Sequence, residues 1–173
     1  DIKPDYIFAI NGLVDAYLYE NNSSDGIVEL KKILAMNPSL IEARYRLANV
    51  YLTNGNLDSS AAHFQYIINL QPNLINAYIG LGDVYLQAGR DDDALEIYKY
   101  TLNINSQYPL SYYKIGKLHS QKGNTDDAIK NYNLGLKYDP NFTDAIFELG
   151  MAYGIKGNNE EALKLLNKAC LLY

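Results

Sequence analysis

Residues 75–106 read INAYIGLGDVYLQAGRDDDALEIYKYTLNINS, and two helical stripes stand in them. Tyr78, Leu81, Gly82 and Tyr85 recur at spacings of three and four, and Ala94, Leu95, Tyr98, Thr101 and Leu102 repeat the pattern. That is the period of an amphipathic helix. Between the stripes lies Gln87-Ala88-Gly89-Arg90-Asp91. Glycine takes the left-handed conformation that ends a helix at little steric cost. Asp91 to Asp93 then stand where the dipole of a second helix favours anions, with Asp91 as its expected N-cap. The stretch is predicted to be a helix, a tight turn and another helix.

The same elements recur along the chain every 34 residues. Pro38, Pro72 and Pro140 lie on one grid, with Ser106 on the vacant point. Gly55, Gly89, Gly123 and Gly157 share the interval, with Asn21 in the earlier place. Tyr17, Tyr51, Tyr85 and Tyr153 form a third column, interrupted by His119, and Ser60, Ala94, Ala128 and Ala162 a fourth, after Gly26. No insertion or deletion breaks the period. Placing the proline at position 32 gives repeats 7–40, 41–74, 75–108, 109–142 and 143–173, preceded by a tail, 1–6. The remaining expected N-caps are Thr125 and Asn159, and the proline ends each second helix.

These residues resemble the tetratricopeptide repeat, whose pattern is a bulky residue, Leu-Gly, Tyr, then Ala, an aromatic and Pro. The third unit has Tyr78, Leu81-Gly82, Tyr85, Ala94 and Tyr98; the fourth has Tyr112, Ile115-Gly116, His119, Ala128, Tyr132 and Pro140. The fifth has Ile146, Leu149-Gly150, Tyr153, Ala162 and Leu166. The first two are looser, with Leu13-Val14 and Leu47-Ala48 for Leu-Gly and Arg44 in the bulky apolar place. The resemblance implies an all-α fold, a right-handed solenoid forming one domain over 1–173, with a concave side lined by the first helix of each repeat.

On the helical wheel, positions 2, 5, 9, 12 and 13 lie about 140° from the core side of the first helix. They carry Asn11 and Asp15 in the first repeat, Tyr45, Asn49 and Leu52 in the second, and Ile79, Asp83 and Leu86 in the third. The fourth supplies Tyr113 and Lys117, the fifth Phe147 and Met151. Two readings stay open. Aromatics at positions 5 and 12 extend the packing between repeats, or Tyr45, Ile79, Tyr113 and Phe147 form an apolar ridge rimmed by polar groups, as in a peptide groove. Family members that clamp a C-terminal carboxylate use Lys, Arg and Asn; only Asn49 fits, and Asp15 and Asp83 would repel it. The asparagine ladder of glycosyltransferase-linked arrays is absent, since Gly12, Arg46, Gly80, Lys114 and Glu148 stand there. The expected partner is an apolar or amphipathic segment with basic flanks.

Composition points the same way. The chain has 173 residues and 48% apolar content, enough for a core. Its net charge of −5 disfavours a nucleic-acid binder. No run is long enough to span a bilayer, so no membrane insertion is expected, and Asp1-Ile2-Lys3-Pro4-Asp5 lacks signal-peptide character. One cysteine, Cys170, excludes a disulfide framework; at position 28 it reads as a small core residue. His63 and His119, 56 residues apart, assemble no catalytic or metal constellation, and His119 reads as a partly buried structural residue. No enzyme activity, metal or cofactor is expected. The reading is a non-catalytic protein-interaction scaffold; the alternatives are a self-associating scaffold or the substrate-recruiting arm of a larger enzyme. Pro4 falls 34 residues before Pro38, and the next proline would fall at 174, so a segment of a longer array is expected. The expected setting is the cytoplasm, although scarce cysteine suits the periplasm equally.

Overall fold

The computed structural model describes Gly12, Val14 and residues 23–172. Nine α-helices are described: α1 (Ser23–Met36), α2 (Ile41–Thr53), α3 (Leu57–Leu70), α4 (Ile75–Gln87), α5 (Asp91–Ile104), α6 (Pro109–Gln121), α7 (Thr125–Tyr138), α8 (Thr143–Ile155) and α9 (Asn159–Leu172). The described residues contain no strand. First helices start at 41, 75, 109 and 143, the 34-residue step read from the sequence. The chain divides into two compact units, one ending at Arg90 and one starting at Asp91.

Each hairpin turn is built alike. Gly55, Gly89, Gly123 and Gly157 have φ between 72° and 78°, the left-handed region. The following amide closes a bond to the carbonyl five residues back, as in Arg90 N to Tyr85 O (2.8 Å) and Asn124 N to His119 O (2.9 Å). This satisfies a carbonyl that the helix end would leave orphaned. The N-caps stand one residue before the expected ones. Asn124 precedes α7, and Asn158 accepts from Glu161 N as Asn56 does from Ser59 N (each 3.4 Å). The Asn56 and Asn158 side chains accept from the amide three residues on, Asn124 makes no side-chain cap bond, and Thr125 and Asn159 are already helical. Asp92 and Asp126 also bind the next turn of the array: Lys122 Nζ lies 2.9 Å from Asp92 Oδ1, and Lys156 pairs with Asp126.

Small residues bring the hairpin helices together. A Cβ on Gly116 would lie 2.7 Å from the Tyr132 ring, and one on Gly150 3.0 Å from Leu166 Cγ. In the first unit Val14, Leu30, Ile33, Ala43, Leu47 and Val50 form a core cluster, with Ile27, Leu34 and Tyr51 packed on it. In the second, Tyr113, Ala128, Tyr132, Ala145, Leu149 and Ala152 do so, with Ile129 and Leu136 against them. Leu34 and Leu136, at position 28, are thus covered by clusters that include the following first helix. Cys170 occupies the same position and is exposed, contrary to the expectation of a core residue. No described helix follows it.

Candidate functional site

The expected binding residues lie along the first helices, some of them packed into the core and others exposed. Asn11 and Asp15 lie outside the described residues. In the first unit, Tyr45 on α2 is half-buried and meets Phe64 edge-on, with ring centroids 5.6 Å apart. Asn49 is half-buried, and its amide donates to Tyr45 O at 2.9 Å, so the helix's own backbone occupies one donor. Leu52, Asp83 and Leu86 are half-buried as well. Ile79 is 5% exposed. It contributes to packing rather than to an open surface.

In the second unit, α6 and α8 adjoin. Tyr113 is buried, its ring 5.1 Å from that of Phe142 and 6.2 Å from that of Tyr132. Its ring packs against neighbouring aromatics and lines no open surface. Lys117, one turn on, places Nζ 5.7 Å from the Tyr113 ring centroid, 3.5 Å from its hydroxyl and 3.7 Å from Glu148 Oε1. Burial lowers the affinity of that ammonium for its proton, but the Tyr113 phenol, Glu148 and Asp144 outweigh it and hold the pKa above the usual lysine value. Burial likewise raises the Tyr113 phenol. Lys117 is therefore a fixed cation beside a carboxylate.

Phe147 and Met151 behave differently, at 44% and 46% exposed, and Ile155, one turn further, is 69% exposed. The preceding repeats put Phe64 and Tyr132 against their position-5 aromatics. The last repeat has Leu166 at the equivalent place. Ile155 is also read onto this side of the helical wheel from the sequence, at a position where the other repeats carry Tyr19, Thr53, Gln87 and Gln121.

A second set of contacts was not legible from periodicity. The carbonyl at position 32 finds a side-chain donor in four successive places. Arg44 donates to Pro38 O, Tyr78 to Pro72 O at 3.0 Å, Tyr112 to Ser106 O at 2.9 Å and Lys168 to Pro140 O at 2.8 Å. Arg44, in the bulky apolar place, substitutes for a tyrosine hydroxyl. Lys168, from the second helix, serves the repeat in which Ile146 has no donor.

Models of the tetratricopeptide repeat match residues 11–74, 110–142 and 143–173, and a further model, described as TPR repeat, matches 82–123. No curated protein matches the chain. Among solved structures, a MamA crystal structure is 25% identical with a TM-score of 0.68, covering 92% of this chain and 93% of that one. TTC0263, a thermophilic TPR protein of Thermus thermophilus, is 20% identical with a TM-score of 0.76, over 91% and 86% of the two chains. YrrB, a TPR protein with an unusual peptide-binding site, is 21% identical with a TM-score of 0.58, over 93% and 83%. The glycine turns, the small-residue columns, the 34-residue step and these matches from 11 to 173 have one explanation: the chain belongs to the tetratricopeptide-repeat family.

Proposed function

We propose that the chain is a non-catalytic scaffold whose first-helix sides receive a polypeptide segment, the five repeats over 7–173 acting as one binding domain. Tetratricopeptide repeats are interaction modules, and YrrB is a relative in fold with a peptide-binding site. The observation that carries the reading is the pair Phe147 and Met151, large apolar side chains close to half exposed on the side expected to bind. Around them stand polar groups, Lys117 and Glu148, which set register more than affinity. The first unit offers Tyr45, Asn49, Leu52, Asp83 and Leu86, half-buried on the equivalent side.

A displayed random-peptide library panned against the chain tests this. Selected peptides are expected to lose binding to Phe147→Ser/Met151→Ser, to Asn49→Ala/Leu52→Ser, or to both, with helical content and melting retained. Peptides that bind both variants like the parent chain would refute the assignment of the surface.

A further inference from the structure

The second unit narrows the kind of polypeptide, on the premise that the first-helix side is the binding side. One side of α8 buries Ala145, Ile146, Leu149 and Ala152; the other exposes Phe147, Met151 and Ile155 at i, i+4 and i+8. A helix apolar on both sides belongs in a fully covered place. Among the described residues none covers these three side chains, which are 44%, 46% and 69% exposed. Positions 9 and 13 hold Asp15 and Tyr19, Asn49 and Thr53, Asp83 and Gln87, and Lys117 and Gln121 in the preceding repeats, and two aliphatic side chains, Met151 and Ile155, only in the last.

The strip has a direction. From Phe147 to Ile155 it runs about 12 Å along the helix axis, at 1.5 Å per residue. It does not continue sideways onto α6, where Tyr113 is buried, Lys117 is paired and Gln121 is exposed and polar. An extended peptide crossing from helix to helix would meet one apolar group and then a charge. A second helix laid at a shallow angle along α8 would meet all three, ridge into groove. Met151 adapts to whatever side chain arrives. Charge adds a second selection: the carboxylates Asp144 and Glu148 flank Phe147 in sequence, and both act on the Lys117 ammonium. A helix with basic residues beside its apolar stripe complements that set, in a chain whose net charge is −5.

We infer that α8 docks, lengthwise, one amphipathic helix of a partner protein, apolar at i, i+3 or i+4, and i+7, with Lys or Arg flanking the stripe. The probes are two labelled Leu/Lys peptides of equal composition, one with leucines at helical spacing and one with leucines alternating as in a strand. Anisotropy is read with the parent chain and with Met151→Asn/Ile155→Gln. This variant restores residue types found in the other repeats and leaves net charge unchanged. The helix-patterned peptide is expected to bind the variant about tenfold more weakly or worse, and the strand-patterned peptide to show no such loss. Equal binding of the helix-patterned peptide to both chains would overturn the proposal. A loss confined to the strand-patterned peptide would also overturn it, while leaving the broader interaction reading intact. So would a dimer of the parent chain, seen by light scattering, that the variant abolishes, since the occupant would then be a second copy. Ile155→Gln alone, at the most exposed of the three positions, keeps the test decisive if the double variant melts early.

Discussion

Arg44 and His63 show how one departure from the repeat pattern reorganises its surroundings. The guanidinium lies 3.6 Å from the Tyr66 ring centroid, and its Nη1 stands 3.3 Å from His63 Nδ1. Arginine only donates, so Nδ1 accepts and the ring is neutral, with its proton on Nε2. Tyr51 stacks on the ring at 5.7 Å, and Lys31 stands 6.0 Å from the Tyr51 centroid. Burial first, then the charges of Arg44 and Lys31, hold the His63 pKa below 6.5. The unfolded chain therefore binds this proton more readily than the folded one. The resulting stability is complete above about pH 6.5 and is lost as pH falls through the folded value. His63→Gln retains an acceptor and does not titrate. Its urea midpoint should fall less than that of the parent between about pH 7.5 and pH 5; equal falls would show that His63 is not the group responsible. Nothing lies within 4 Å of a Cβ built on Gly89 or Gly123, whose φ values are 72° and 76°. Gly89→Val and Gly123→Val should each cost more than about 1 kcal/mol through backbone strain and not crowding. Melting temperatures equal to the parent's would contradict this.

Between elements, the column formed by position 27 and position 3 of the next repeat is apolar three times: Ile33 with Ala43, Ile67 with Ala77, and Gly135 with Ala145. Between α5 and α6 it becomes Thr101 with Ser111, both fully buried. Thr101 Oγ1 donates to Tyr98 O, which leaves its lone pairs to accept from Ser111 Oγ at 2.5 Å. The pair is asymmetric. Thr101→Val strands the Ser111 hydroxyl in the core and should cost about 1–3 kcal/mol; Ser111→Ala leaves Thr101 satisfied and should cost less. Thr101→Val/Ser111→Ala should recover part of the first loss, a coupling that denaturant melts of the four chains measure. Additive losses would mean that the hydroxyls do not depend on each other. This pair marks where reading the sequence stops. The period located the described turns and the first-helix starts, and set the second-helix starts one residue late, because the glycine, proline and apolar columns act through local backbone and one helix face. Thr101 with Ser111, Arg44 with Pro38 O and Lys168 with Pro140 O depend on which side chains meet across elements. No periodicity encodes that.

Across the whole molecule, the candidate surface was legible as a side of each helix but not as an exposed area. Ile79 and Phe147 hold the same repeat position, yet one is 5% and the other 44% exposed. Exposure depends on what stands beside the residue, and the wheel sees only the residue's own helix. That dependence on neighbours also governs stability. Within each unit the packed helices belong to one repeat or to adjoining repeats. In such arrays stability is close to a sum of repeat and nearest-neighbour contributions, and opening is local. Leu149, 3% exposed in the second unit's core cluster, provides the test. Leu149→Ala removes buried methyl groups and should cost about 2–5 kcal/mol. Native-state hydrogen exchange should show the loss in the amides of α7, α8 and α9, while α2 and α3 keep the protection they have in the parent chain. Equal loss of protection in α2 and α3 would mean that the chain unfolds as one cooperative body. The apolar strip on α8 would then report the stability of all its repeats, and binding measured on any variant there would have to be corrected for the unfolded fraction.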